Sequence, residues 1–357
     1  VNILILTTHL NPGGISRYVI NLAKGLSCSH RVWVACWGGS WRNKLSLYRV
    51  SFKYIPIHTK SMISIKVFFS LIILFPFIIK HKIDIIHANT RVTQFLAFLL
   101  YKMLGINYIS SFHGFYRRHI FRRLFKFEGI RAIAVSQAVR GHLENDLGID
   151  KDRIKVIYNG IDVTDHEAEG CKKSEFSFKE NDILLGILGR ISAEKGHFLA
   201  VDAFNILKDK YKNAYLVISG EGRLKRKLRD YIEKLNLSDR VKFLNLEGER
   251  FLDLVDILLV ASSKEGFGYI ILEAFLRGIC VIGFATGAIP ELITDHENGI
   301  LFYKYEPSFL EEVTEELINN DALRQRITYR AKEKLKDFSL DAMVKKTESL
   351  YREVVSL

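Results

Sequence analysis

The chain has 357 residues, 48% of them hydrophobic, enough for two domains of ordinary size. Its four cysteines, Cys28, Cys36, Cys171 and Cys280, share no CxxC or paired spacing, which gives no zinc pattern and suits a reducing compartment. Charge is uneven: residues 1–165 hold 23 Lys+Arg against 8 Asp+Glu, and residues 166–357 hold 29 against 32, so an anionic partner is expected for the first half alone.

The opening "VNILILTTHL" predicts a strand at Ile3–Thr7, with no basic n-region or cleavage site of a signal peptide. Further strands are expected at Val32–Trp37, Phe52–Ile57, Ile83–His87, Tyr108–Phe112, Ala132–Val135 and Ile154–Ile157. Helices at Ser16–Ser27, Thr93–Leu104 and Gln137–Asp146 lie between them, the alternation of βαβ units. Between the first strand and helix, Gly13 and Gly14 allow close backbone approach to a ligand or simply make a tight turn, with Ser16 as a helix cap. No full GxGxxG fingerprint is present, which argues against a nicotinamide dehydrogenase.

Two segments of the first half stand out. "VFFSLIILFPFII", Val67 to Ile79, is intensely apolar, but it is too short to span a bilayer and Pro76 interrupts it, so a buried or interfacial helix is expected. "FYRRHIFRRLFKF", Phe115 to Phe127, interleaves Arg117, Arg118, Arg122, Arg123 and Lys126 with aromatics at helical spacing. That face suits an anionic bilayer; a solvated basic helix over a core-facing aromatic stripe is the plainer reading.

Residues 166–182, polar with scattered apolar positions, read as a linker. A second alternation follows, with strands at Ile183–Leu188, Tyr215–Ser219, Val241–Phe243, Ile257–Val260, Val281–Phe284 and Ile300–Phe302, and helices from about Pro307 onward. The expected fold class is α/β, two doubly wound Rossmann-like domains in tandem facing a central cleft, with ligand sites at the carboxyl ends of the strands. The domains are placed at 1–165 and 183–338, with a helix at 339–357 packing back on the first.

The second half carries the clearer chemistry. Gly189 and Arg190 end its first strand and Lys195 precedes a helix, positions where an anion lies. In "EGFGYIILEAFLRG", Glu265 precedes a helix predicted over Tyr269–Arg277 and Glu273 lies one turn inside it. Backbone N–H groups from Phe267 through Gly268 and Tyr269 to Ile270 would face a phosphate. Carboxylates on both sides of a phosphate site suit a ligand with hydroxyls flanking phosphates, the layout of a nucleotide-sugar.

The ordered set "NPGGISRYVINLAKGL", "DIIHANT", "SSFHG", "VIYNGID", "LGRISAEKG", "VISGEGRLK", "EGFGYIILEAFLRG" and "GAIPELI" resembles the retaining GT-B glycosyltransferases of family 4, nearly end to end. The resemblance implies a sugar transferase of hexosyl type, with a nucleoside-diphosphate-sugar donor, UDP by family frequency. Arg190 and Lys195 would bind the diphosphate, Glu265 the transferred sugar and Glu273 the ribose. Gly14 would approach the donor phosphate, His113 would sit near the anomeric carbon, and Gly220 and Gly222 near the base. Asn245 and Ala261 depart from the family's usual Gly and Pro, which touches the base pocket. No cofactor and no metal are expected, since Arg190 and Lys195 can stabilise the leaving diphosphate without one, and nucleic acid is not the expected partner. A glycan or lipid-linked acceptor, envelope polysaccharide synthesis, and a cytoplasmic place on the inner face of the membrane are the matching expectations. A nucleotide-sugar epimerase of the same fold and a basic nucleic-acid binder are the alternatives.

Overall fold

The computed structural model describes all residues except 117–123, 165–169 and 357. The chain divides into two units, Val1–Asp162 with Phe338–Leu357, and Val163–Asp337.

In the first unit seven parallel strands form one sheet: β1 (Asn2–Leu6), β2 (Arg31–Cys36), β3 (Ser51–Tyr54), β4 (Ile85–Ala88), β5 (Tyr108–Phe112), β6 (Arg131–Ala134) and β7 (Ile154–Val156). Their order is β3-β2-β1-β4-β5-β6-β7, so the winding reverses between β1 and β4. The strands are nearly continuous Ile, Val, Leu and Ala because helices cover both faces of a parallel sheet; Ile3 to Leu6 are completely buried. Side-chain oxygens of Ser64, Thr90 and Ser136 cap helices Ile65–His81, Arg91–Leu104 and Gln137–Asn145. Helix Gly14–Leu26 begins two residues earlier than expected. Gly13 is its N-cap, and Ser16 instead donates to the His9 carbonyl. Helix Ile65–His81 is continuous across Pro76, which lacks the N–H of one helical bond but does not end the helix. It sets Val67, Ser70, Leu74 and Ile78 inward.

Helix Leu340–Val355, capped by Ser339, belongs to this same unit. Met343, Leu350, Tyr351 and Val354 are buried on it. It crosses helix Gly14–Leu26 so closely that a methyl at Gly25 would lie 2.3 Å from Val344 Cγ2. Arg131 pairs with Glu353, and Asn107 donates to the Val354 carbonyl at 2.8 Å.

The second unit holds six parallel strands: β8 (Ile183–Leu188), β9 (Ala214–Ser219), β10 (Val241–Leu244), β11 (Ile257–Val260), β12 (Cys280–Phe284) and β13 (Ile300–Phe302). The order β10-β9-β8-β11-β12-β13 puts the reversal between β8 and β11. The stretch expected as a linker is, in its described part, packed into this unit. Cys171 and Phe178 are buried, and Lys173 Nζ bridges to Asp256 at 3.0 Å, so its scattered apolar positions anchor it.

Of the basic segment, Arg117, Arg118, Arg122 and Arg123 lie outside the described residues. Lys126 is described, and its ammonium donates to the Gly148 carbonyl. That hydrogen bond ties it to its own domain.

Candidate active site

In an open parallel sheet, ligand sites form at the carboxyl ends of the strands where the winding reverses. In the second unit that point is the β8/β11 junction, and the expected residues collect there. Lys195, in the short helical turn Ala193–Lys195, places its Nζ 2.7 Å from Glu265 Oε2. The β8 loop is tied to the β11 loop beneath them, since Ser263 N donates to the Glu194 carbonyl at 2.8 Å. Glu265 is held from behind, its carbonyl accepting from Ala288 N at 2.9 Å.

Arg190 sits apart from this pair. Its side chain is 70% exposed and reaches Glu194 at 3.5 Å. The Glu194 carboxyl is held below its ordinary pKa, first by a backbone hydrogen bond and then by the Arg190 and Lys195 charges. Helix Tyr269–Leu276 starts after Gly268, with the Phe267 and Tyr269 side chains buried edge to face. Glu273, on that helix, turns its Oε2 toward Gly248 and the end of β8: a methyl at Gly248 would meet it at 3.7 Å. Arg190, Glu194, Lys195 and Glu265 thus stand on the loops that follow β8 and β11, and Glu273 on the helix after the second of them.

Gly220 and Gly222 have a packing reason to be glycine. A methyl on Gly220 would lie 1.9 Å from the Gly189 carbonyl oxygen, and one on Gly222 would lie 2.1 Å from that of Ile191. The loops after β8 and β9 therefore touch backbone to backbone, with Ile191 N donating to the Glu221 carbonyl at 2.9 Å.

In the first unit the reversal lies between β1 and β4. Gly13 follows β1 with φ +155°, open space around it and its carbonyl accepting from Arg17 N. Asn89 follows β4 and His113 follows β5, and His113 Nε2 meets Asn89 Oδ1 at 3.2 Å. The Tyr18 ring stands edge-on to His113, with centroids 4.6 Å apart. Behind this pair runs a buried polar chain. Tyr18 Oη lies 3.0 Å from Ser111 Oγ, Ser111 Oγ lies 2.7 Å from His87 Nε2, and His87 Nδ1 lies 2.6 Å from Tyr351 Oη. Burial pushes the pKa of both His87 and His113 down to about 3, so the two rings are neutral at ordinary pH.

The family profile described as Glycosyltransferase Family 4 matches residues 12–165, and that described as Glycosyl transferases group 1 matches residues 171–334. The chain belongs to the family 4, group 1 glycosyltransferases. Each half matches its own profile, so both domains carry the family's pattern. An uncharacterized glycosyltransferase of Methanocaldococcus jannaschii is 29% identical over 76% of both chains. N-acetyl-alpha-D-glucosaminyl L-malate synthase of Bacillus anthracis is 26% identical over 77% of this chain and 76% of its own. The crystal structure of Anabaena Alr3699/HepE in complex with UDP and glucose superposes with a TM-score of 0.86, covering 99% of both chains at 20% identity. That likeness establishes the GT-B fold of this glycosyltransferase.

Several residues at the two sheet reversals escaped the sequence reading. Asn89 stands inside the "DIIHANT" motif without having been singled out. Tyr18 and Ser111 likewise stand inside quoted motifs without having been singled out, and Tyr351 lies outside any motif; only the fold brings the three together. His197, beside Lys195, is buried, and among the described residues neither of its ring nitrogens has a hydrogen-bond partner. Burial, then the Lys195 charge, lowers its pKa to about 4.

Proposed function

We propose that this glycosyltransferase moves a sugar from a UDP-linked donor to a hydroxyl of a glycan or lipid-linked acceptor of the cell envelope, with retention at the anomeric carbon and without a metal. The observation that carries the donor reading is the Lys195–Glu265 contact at the β8/β11 reversal, with Glu273 on the next helix. A phosphate beside a sugar hydroxyl is the ligand fragment that suits a cation and a carboxylate in contact. Lys195 donates to the phosphate, and Glu265 accepts from the hydroxyl. Arg190, exposed and paired with Glu194 at 3.5 Å, is the second diphosphate ligand, and Glu273 takes the ribose diol. The bound UDP named for the Anabaena protein supports this choice of nucleotide.

In the proposed reaction the bond from the anomeric carbon to the diphosphate oxygen breaks while the acceptor oxygen attacks from the same face. The acceptor proton passes to the leaving phosphate. Charge gathers on that phosphate, where preorganised cations stabilise it. His113, neutral and bonded to Asn89, is the proposed partner of a donor-sugar hydroxyl. The inner face of the cytoplasmic membrane is the proposed place of action.

Thermal-shift screening with UDP, GDP and their sugars is the first test. UDP is expected to stabilise the second domain, and no shift with any nucleotide would overturn the donor reading. Release of UDP on mixing donor and acceptor, unchanged by a chelator, with product anomers assigned by NMR, tests transfer, metal independence and retention.

A further inference from the structure

We propose that helix Ile65–His81 lies flat on an anionic bilayer and is the membrane-docking element of the protein. This deepens the membrane reading above, and it rests on a surface remote in sequence from the donor residues.

The helix is apolar on every side, yet only one side is covered. Val67, Leu74 and Ile78 enter the core of the first unit, with Leu71, Ile73 and Phe77 packed against that core. The opposite side carries Ile65, Ile72 and Ile79 at intervals of seven, and Phe68 and Phe69 between them. Their exposures are 63%, 51%, 58%, 54% and 51%. A soluble helix normally puts charge on that side. Here the stripe runs the full length of the helix, about 25 Å. Ile63, just ahead of it, is 93% exposed.

No described helix is long and apolar enough to cross a membrane. At 17 residues this helix is shorter than the roughly 20 of a span, and an in-plane position is the arrangement that buries the stripe. Charge then selects the occupant. Residues 1–83 contain 11 Lys+Arg and no Asp or Glu. Lys66 lies at one end of the helix and Lys80 and Lys82 at the other, all exposed. Lys53 reaches over Phe77 at 5.1 Å. The first acid of the chain, Asp84, follows the helix and accepts from Asn2 N at 2.7 Å. Two copies meeting through this face would bring one cationic rim against another. An anionic lipid surface instead offers hydrocarbon to the stripe and phosphates to the cations at its ends, Lys66, whose ammonium donates to the His58 carbonyl at 3.2 Å, and Lys80 and Lys82.

The test is flotation of the full chain with vesicles of phosphatidylcholine alone and of equal parts phosphatidylcholine and phosphatidylglycerol. Binding is expected to the mixed vesicles. It should fall at least roughly tenfold in a variant carrying Phe68→Gln, Phe69→Gln and Ile72→Gln together, and also in Lys66→Gln with Lys80→Gln. Flotation of the triple variant equal to wild type overturns the proposal. Sedimentation velocity without lipid covers the rival occupant: a wild-type dimer that the triple variant converts to monomer, with flotation unchanged, assigns the face to a second copy and also overturns it. Should the triple variant fold poorly, Ile72→Cys bearing a polarity-sensitive dye, in a background with exposed Cys28 changed to Ser, gives an independent readout. A blue shift on mixed vesicles is expected, and its absence is again fatal. UDP-induced thermal shifts do not depend on this face, so failure here leaves the donor reading standing, and the reverse holds too.

Discussion

Lys195 and Glu265, seventy positions apart in the chain, touch at 2.7 Å where the second sheet reverses its winding. Both side chains keep some exposure, so the pair contributes little to stability, on the order of 1 kcal/mol or less. Its value lies in orientation. Lys195→Ala and Glu265→Gln should therefore leave the melting temperature within a degree or two while lowering transfer by roughly a hundredfold or more. Calorimetry alongside a UDP-release assay checks both halves. A variant that melts early and transfers normally would reverse the assignment.

Arg190 should behave differently. It is exposed and pairs with Glu194 at 3.5 Å, apart from the Lys195–Glu265 contact. Arg190→Ala is expected to raise the donor KM as well as to lower kcat, whereas Arg190→Lys recovers only part, since an ammonium lacks the bidentate fork. Steady-state kinetics at varied donor concentration separate the two parameters.

The loops after β8 and β9 supply a steric prediction. Gly220→Ala puts a methyl 1.9 Å from the Gly189 oxygen at φ +141°. Both backbone strain and a clash follow, with a cost of roughly 3 kcal/mol or more. Gly13→Ala meets only strain, because nothing lies near its side. It should cost about 1–2 kcal/mol. Urea unfolding followed by circular dichroism ranks the two.

Much of this was legible from residue types and spacing, for reasons the structure makes visible. Strands buried on both faces read as unbroken apolar runs, so β5, β8, β11 and β13 were placed to the residue. Lys195, Glu265 and Glu273 were legible because they flank glycine turns beside strand ends. What failed was anything decided by tertiary contact. Pro76 looked like a break, but the helix packs well enough on either side to carry it. Phe178 looked like a stray apolar residue in a linker, but it is buried against Tyr215. Gly220 and Gly222 were given to the base through family position, and the structure adds a backbone contact that no spacing rule reveals. The chain from Tyr351 to His113 joins positions drawn from four separate segments; three of these carry quoted motifs, but no spacing along the sequence shows that the side chains connect.

Acid should loosen the first unit. In the unfolded chain His87 and His113 titrate near the ordinary 6.5; folded, burial holds both near 3. Between those values the unfolded state binds more protons, so stability is full above about pH 6.5 and declines as the pH falls toward 3. From pH 7 to pH 5 the loss is on the order of 2 kcal/mol per histidine. All three tryptophans, Trp33, Trp37 and Trp41, lie in this unit, so their fluorescence in urea reports it selectively. His87→Gln should flatten the slope while lowering stability at neutral pH.

The same buried chain predicts how the C-terminal helix is held. Tyr351 Oη is the bond from that helix to His87 Nδ1, and no water can replace it in a fully buried site. Tyr351→Phe leaves the imidazole nitrogen unpaired and should cost about 1–3 kcal/mol. Tyr18→Phe is milder, since Ser111 keeps its bond to His87 Nε2 after losing Tyr18. The larger effect is thus expected at the residue farther along the chain from His113. Tryptophan-monitored unfolding of the two variants gives the ranking, and a Tyr18→Phe cost exceeding that of Tyr351→Phe would mean that the edge-on contact of Tyr18 with His113, rather than the hydrogen-bonded chain, holds this side of the domain together.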